Sequence, residues 1–84
     1  MLQIELKQEA TKKVSIQTPH YAKSLTGSYC TFNDDGVIVI TKESINYFNV
    51  NVIIAGYYKN STPCTREEVE SKFKEVINNL KNKI

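Results

Sequence analysis

The residues of this chain that could do chemistry are few and scattered. The sequence contains one histidine, His20, and two cysteines, Cys30 and Cys64. A catalytic base or nucleophile needs a positioned partner, and a zinc site needs about four ligands. A histidine beside Pro19 at a strand end is typical of a surface residue, and isolated cysteines usually behave as small apolar side chains. We therefore expect no catalytic residue, no metal site and no cofactor.

Asp34 and Asp35 are adjacent carboxylates, which in principle suit a cation. They lie within Asn33-Asp34-Asp35-Gly36, and Asp-Gly between two β-rich segments is typical of a hairpin turn in which glycine supplies a positive φ. The sequence also lacks a glycine-rich phosphate loop and the common hydrolase and metalloprotease motifs. These patterns predict that the protein is not an enzyme.

A combination of tyrosine and lysine residues carries the most functional information. Seven of the eight aromatic residues lie between positions 21 and 58. In proteins that bind single-stranded nucleic acid, aromatic rings stack on the bases and basic side chains follow the phosphates. Tyrosine and phenylalanine are also favoured in strands for packing reasons alone, so a structural role is the competing interpretation. The predicted nucleic-acid-binding residues are Lys23, Tyr29, Tyr47, Tyr57, Tyr58 and Lys59.

Length and charge limit the possible partners. The chain has 84 residues, 40% of them hydrophobic and 24% charged, with a net charge of +2, which predicts one globular domain over residues 1–84. Strong nucleic-acid binders usually have a pI above about 9, whereas the pI here is about 8.5. The N-terminal residues do not resemble a signal peptide and no segment resembles a membrane span. We therefore expect a cytoplasmic protein, and the abundant Lys, Asn and Ile suggest a bacterial or phage origin.

The elements that must position these side chains are mainly strands. Residues 1–58 are predicted to be strand-rich, because apolar and polar residues alternate or β-branched residues cluster in several short segments. Residues 41–48 fit a short helix or a strand equally well, and His20–Ser28 is ambiguous. The predicted strands are Leu2–Lys7, Lys13–Gln17, Tyr29–Phe32, Val37–Ile40 and Asn49–Tyr58.

Residues 65–84 are predicted to form an amphipathic helix after a loop at 59–64. Thr65-Arg66-Glu67-Glu68 is a capping-box sequence, with acidic residues near the helix start and lysines near its end. Apolar residues recur at helical spacing and predict one buried stripe, in which Phe73 would be a major contact. The residues of the predicted stripe are Val69, Phe73, Val76, Ile77, Leu80 and Ile84.

These elements predict an α+β fold. An antiparallel sheet of about four to five strands would be followed by one C-terminal amphipathic helix packed on one face of the sheet. This order is similar in topology to the repeat unit of the PUR and whirly families of single-strand-binding proteins, in which the sheet face carries the ligand. No motif of those families is matched, so the resemblance assigns no residue.

Two functional hypotheses follow. In the first, the protein binds single-stranded DNA or RNA on the Tyr- and Lys-bearing sheet face, as a dimer. In the second, it is a protein–protein interaction or assembly module, such as a phage accessory protein, that acts as a homo-oligomer. An open edge at Leu2–Lys7 could then pair with a neighbouring chain. The near-neutral charge favours the second hypothesis, and the Tyr/Lys combination favours the first. Single-stranded nucleic-acid binding is the specific prediction, and the interaction module is the alternative.

Overall fold

The computed structural model describes residues 1–7 and 11–84, and it confirms the α+β fold with a five-stranded antiparallel sheet and a C-terminal helix. A separate two-stranded hairpin and a further helix are also present. The elements, in chain order, are β1 Leu2–Lys7, β2 Thr11–Ile16, β3 His20–Ser24, β4 Tyr29–Asn33, β5 Gly36–Ile40, β6 Ile45–Phe48, α1 Asn51–Lys59, β7 Ser61–Pro63 and α2 Arg66–Lys81.

The five-stranded sheet has the order β6-β5-β4-β3-β7, with every neighbouring pair antiparallel. The β1–β2 hairpin and α1 cover one face of this sheet, and α2 lies on the other. Because side chains alternate between the faces of a strand, each central strand contributes residues to both sides. The molecule thus has three layers, with the five-stranded sheet in the middle. We call the side of the sheet covered by the β1–β2 hairpin and α1 the hairpin face, and the side covered by α2 the α2 face.

The hairpin face holds most of the core. Phe32, Val37 and Val39 are completely buried there, and Ile4 of β1 and Ile54 of α1 pack against them. At roughly 1.5–3 kcal/mol per large apolar side chain, this cluster is the main source of hydrophobic stabilisation. The α2 face has a smaller cluster, whose buried members are Ile40, Val69 and Val76.

The predicted capping box of α2 is present. The Thr65 hydroxyl accepts from the Glu68 backbone N–H at 3.2 Å, and the Glu68 carboxylate accepts from the Thr65 N–H at 3.0 Å. The expected contact of Phe73 is wrong, however, because 43% of that residue is exposed. Ile84 lies beyond the end of α2 and is fully exposed. The helix is therefore anchored by a narrower stripe than the periodicity predicts.

The predicted strand Asn49–Tyr58 is wrong, because Asn51–Lys59 form the helix α1. The alternation of Val50, Val52 and Ile54 favours a strand, but Val50 is the extended residue before the helix and, of Val52 and Ile54, only Ile54 is buried, beside Ala55. Within the two ambiguous segments, Ile45–Phe48 form the strand β6 and His20–Ser24 form β3, and the remaining residues of each segment are not strand. The predicted loop 59–64 contains β7, which pairs with β3. Because α1 and β7 come before α2, the order of elements that suggested the PUR and whirly resemblance is not the order found.

The turn at Asn33–Gly36 joins β4 to β5 as predicted, with Asn33 opposite Gly36. The expected reason for the glycine is wrong, because Gly36 does not have a positive φ; that conformation belongs to Gly27, at +90°. A Cβ on Gly36 would instead lie 2.5 Å from the Phe48 carbonyl oxygen and 2.8 Å from the Tyr47 ring. Gly36 is therefore required because β6 passes close to it.

The outer edge of β1 is closed by α1. The side-chain carbonyl of Asn51 accepts from the Glu5 backbone N–H at 3.0 Å, and its amide donates to the Glu5 carbonyl at 3.3 Å. This one side chain satisfies the donor and the acceptor that a neighbouring strand would use. The predicted open edge at Leu2–Lys7 is therefore occupied at Glu5, in the middle of β1.

Candidate functional site

The residues considered for catalysis, His20, Cys30 and Cys64, are each at least partly buried. The His20 ring packs 5.5 Å from the Phe32 ring and 5.8 Å from the Tyr58 ring, centroid to centroid, and its partial burial lowers the pKa of the imidazole. Burial raises the pKa of the Cys30 thiol to about 11, so Cys30 is a neutral thiol at physiological pH. Burial and the nearby Glu68 carboxylate also raise the pKa of Cys64. Among residues 1–7 and 11–84, no three His, Cys, Asp or Glu side chains are grouped to hold a metal.

Asp34 is engaged with the N-terminal segment. Its carboxylate accepts from the Met1 ammonium group and from the Thr18 hydroxyl. These two bonds, followed by the charge of the ammonium group, lower the pKa of the Asp34 carboxyl. The turn carboxylate therefore ties the start of β1 to the end of the β4–β5 hairpin.

Three of the predicted nucleic-acid-binding residues share the α2 face. Lys23 and Tyr29 are cross-strand neighbours, with the Lys23 ammonium 5.6 Å from the centre of the Tyr29 ring. Three acidic residues of α2, including Glu67 and Glu75, line the surface beside Tyr29, together with Lys72, whose ammonium lies 3.4 Å from the Glu75 carboxylate. A phosphate backbone would meet those carboxylates, so the electrostatics here do not favour nucleic acid.

Tyr47 lies on the same face but near the opposite edge of the sheet, on β6, where it is 50% exposed. Its hydroxyl donates to the Asp35 backbone carbonyl at 2.9 Å. Desolvation and the nearby Asp35 carboxylate raise the pKa of the Tyr47 hydroxyl. The ring is therefore held against the β4–β5 turn rather than free to stack.

The other three predicted residues belong to α1 and lie away from the α2 face. Tyr57 stacks on Phe48 with centroids 5.9 Å apart, and Tyr58 meets the edge of Phe32 at 5.9 Å. Both tyrosines are half-buried against the hairpin-face core, whereas Lys59 is exposed at the helix end. The structure thus divides the six predicted residues into two sets on opposite sides of the sheet.

One exposed apolar surface, on α1, was not predicted from the sequence patterns. A groove of about 490 Å³ separates α1 from the β3–β4 turn, and Leu25 and Val52 on its walls are 80% and 69% exposed. None of its residues is charged. We call this the Leu25 groove; it is lined by Ser24, Leu25, Thr26, Val52, Ile53, Gly56, Tyr57 and Asn60.

The turn that carries Leu25 is firmly built. The Ser24 hydroxyl accepts from the Ser28 N–H at 3.0 Å and bonds to the Thr26 hydroxyl at 2.9 Å. The Leu25 N–H donates to the Asn60 carbonyl at the end of α1, at 3.0 Å. Leucine is therefore presented to solvent on a turn whose backbone is fixed to the helix across the groove. The sequence signal was available, since Leu25 is the one large apolar residue among the polar and glycine residues of this turn.

Gly56 forms part of the same surface. It lies within α1, it is exposed, and a Cβ built on it would meet no atom within 4 Å. Glycine inside a helix costs about 1 kcal/mol relative to alanine, and among residues 1–7 and 11–84 no neighbouring atom requires its small size. A second, smaller groove on the other side of Gly56 is formed with Leu6 and Ala55. The absent side chain therefore leaves the middle of α1 open to close approach from outside.

Comparisons with protein-family models, with curated proteins and with solved structures each give no match. Within the described part of the chain, no helix is both long and apolar enough to cross a membrane.

Proposed function

We propose that this protein is a non-catalytic protein-interaction module, which docks an apolar segment of a partner protein in the Leu25 groove. The observation that carries the proposal is the pair Leu25 and Val52, whose side chains stand 80% and 69% exposed on the walls of an uncharged groove. Exposed apolar clusters of this kind mark interaction sites in soluble proteins.

The construction of the groove fits this role. A binding anchor is most effective when little conformational freedom is lost on association, and the hydrogen-bonded turn fixes the backbone at Leu25 in advance. Gly56 gives a partner backbone or side chain direct access to the helix. Because the lining is uncharged, binding in the groove should depend only weakly on salt.

Single-stranded nucleic-acid binding stays a prediction. Lys23, Tyr29 and Tyr47 lie on one face, which would support it, but Glu67 and Glu75 adjoin Tyr29. A labelled oligonucleotide titrated at low and moderate salt tests it directly, because binding through phosphates weakens steeply as salt increases. The docking proposal expects no such salt-sensitive binding.

The docking proposal is tested by comparing matched variants. A photo-crosslinking residue at position 52 should capture a specific protein from cells of the source organism, and the same residue at the exposed position 84 should not. The captured protein, once purified, should bind the wild type at least about tenfold more tightly than Leu25→Asp, since a charge buried in an apolar interface is strongly unfavourable.

Gly56→Ala sharpens this test, because it should weaken partner binding while leaving the isolated fold as stable as before or more so. Equal capture at positions 52 and 84, or binding that Leu25→Asp and Gly56→Ala leave unchanged, would remove the groove from consideration. Thermal denaturation of each variant shows whether the fold is intact, so that loss of binding is not confused with unfolding.

A further inference from the structure

Four strands lie at sheet edges, and three of them carry a feature that discourages pairing with another chain. On β1, the Glu5 backbone is capped by Asn51. On β2, the central Lys13 is exposed. On β7, Pro63 has no N–H to donate. The fourth edge strand, β6, has none of these features over its described residues, 45–48.

The pairing register shows which backbone groups of β6 have no hydrogen-bond partner among the described residues. The Thr41 N–H donates to the Ser44 carbonyl at 2.9 Å, which closes the β5–β6 turn with a hydrogen-bonded pair. Hydrogen-bonded and non-hydrogen-bonded pairs alternate along an antiparallel ladder. Asn46 and Phe48 therefore bond to β5, and the N–H and C=O groups of Ile45 and Tyr47 point away from the sheet. We call these outward groups the β6 edge.

Within the described part of the chain, no side chain hydrogen-bonds to the outward groups of the β6 edge. The Tyr47 ring leans inward over Gly36, and its hydroxyl is bonded to the Asp35 carbonyl, so the ring does not fold across the outward backbone groups. The residues from Ser44 to Val50 include no charged residue, no proline and no glycine. An uncharged, β-prone strand with free donors and acceptors is a template for strand addition.

We propose that the β6 edge pairs with the β6 edge of a second copy of this chain, antiparallel about a two-fold axis. The two five-stranded sheets then form one continuous sheet. With the axis at Asn46, Ile45 of each copy exchanges two backbone hydrogen bonds with Tyr47 of the other, which satisfies the outward groups of both strands. Asn46 of one copy lies opposite Asn46 of the other, as a non-hydrogen-bonded pair with Cβ atoms about 4.5–5.5 Å apart.

A second copy fits the β6 edge for reasons of charge and side-chain character. Any charged residue near the axis would face its own like charge, and this segment has none. On the α2 face, Ile45 of each copy lies beside Tyr47 of the other, and aromatic–β-branched pairs are favourable across strands. On the opposite face, each Asn46 amide donates to its own Ser44 hydroxyl at 3.0 Å, and its carbonyl oxygen and second N–H can bond to Asn46 of the other copy. The surface is therefore complementary to itself.

The β6 edge and the Leu25 groove use different groups. The groove is built from α1 and the β3–β4 turn, and it meets β6 through the stacking of Tyr57 on the Phe48 ring. That ring lies on the hairpin face and is not among the outward backbone groups of Ile45 and Tyr47. Substitutions at Leu25 should leave dimerisation unchanged, and substitutions at Asn46 should leave partner docking unchanged. Failure of one proposal therefore leaves the other standing.

The test is a charge-swap experiment at Asn46, an exposed position whose substitution should preserve the fold. By light scattering after size-exclusion chromatography, the wild type should have twice the 9.6 kDa mass of one chain. Asn46→Lys and Asn46→Asp should each weaken the dimer by about fivefold or more, because like charges then face each other. An equimolar mixture of the two variants should restore the dimer as a heterodimer. Gln17→Lys, at an exposed position outside β6, should have no effect.

Two results would overturn the proposal. One is a wild-type chain that remains a monomer across the accessible concentration range, which would leave a different extended peptide as the occupant of the edge. The other is a dimer whose affinity is the same in wild type, Asn46→Lys and Asn46→Asp, which would place the contact elsewhere.

Discussion

The two helices are held in place in opposite ways. α2 has a complete capping box, a Glu70 carboxylate 2.7 Å from Arg66 and acidic residues in its first turn, but it buries only Val69 and Val76. α1 has no side-chain cap, no acidic residue in its first turn and a glycine in its middle, but it buries Ile54 and Ala55 against the larger core. α2 is thus favoured by its own sequence, and α1 is held by its surroundings.

The largest effect expected from this contrast is that truncating the smaller side chain, Ile54, destabilises the fold more than truncating the larger one, Phe73. Ile54→Ala on α1 should reduce the free energy of unfolding by about 2–5 kcal/mol, because it leaves a cavity in the main core. Phe73→Ala on α2 removes more atoms but should cost only about 1 kcal/mol, since much of that ring is already in water. Urea denaturation measures both values.

Val52→Ala is the control for Ile54→Ala, because it is two residues away on the same helix but 69% exposed. It should change the free energy of unfolding by less than about 0.5 kcal/mol. A larger loss for Phe73→Ala than for Ile54→Ala would contradict the contrast between the helices.

The next largest effect expected is the loss of stability when the N-terminal cap of α2 is removed. Thr65→Ala removes the hydroxyl that accepts from Glu68 and should destabilise the fold by about 1 kcal/mol. Val50, at the equivalent position of α1, makes no side-chain cap bond, so Val50→Ala should be nearly neutral. Equal losses for the two variants in a chemical denaturation series would mean that the cap of α2 contributes no specific stability.

The smallest expected effect is a dependence of stability on pH that arises from His20, on the hairpin face. The pKa of His20 is lowered in the folded state by burial, so the unfolded chain takes up a proton first as the pH falls below about 6.5. Stability from neutral His20 is therefore fully present above that pH and is lost as the pH falls toward the folded pKa. Asp34, whose pKa is also lowered, adds a separate loss only below its usual value of 3.8.

His20→Phe keeps a ring against Phe32 and Tyr58 but cannot titrate. Urea midpoints measured between about pH 7.5 and about pH 5 should fall for the wild type and stay level for this variant. Parallel slopes in the two proteins would show that other groups cause the acid sensitivity.

The same contrast explains how much of the fold could be predicted from the sequence. α2 and the Asn33–Gly36 turn depend on neighbouring residues, so their signals are visible locally. α1 becomes a helix because Ile54, Ala55 and Tyr58 face one core, a requirement set by distant strands that overrides β-propensity. β7 was missed because its pairing with β3 joins segments far apart in the sequence.

The candidate site was predicted less well for the same reason. Tyr57 and Tyr58 were predicted to lie on the sheet because Asn49–Tyr58 was interpreted as a strand, whereas they belong to the helix α1. Tyr29 and Lys23 are neighbours as the strand pattern allows. The Leu25 groove depends on the packing of a turn against a helix, and no periodicity in the sequence reports that arrangement.

The Asn51 contact with Glu5 has a consequence during synthesis of the chain. The ribosome completes β2 at Ile16, and Asn51 follows 35 residues later (51 minus 16). At about 5–20 residues per second, this delay lasts roughly 2–7 s. Until then the nascent hairpin has neither its edge partner nor the helix that covers Leu2 and Ile4. An isolated two-stranded hairpin is marginal in water. The nascent hairpin is therefore exposed to association with other chains until α1 has been synthesised.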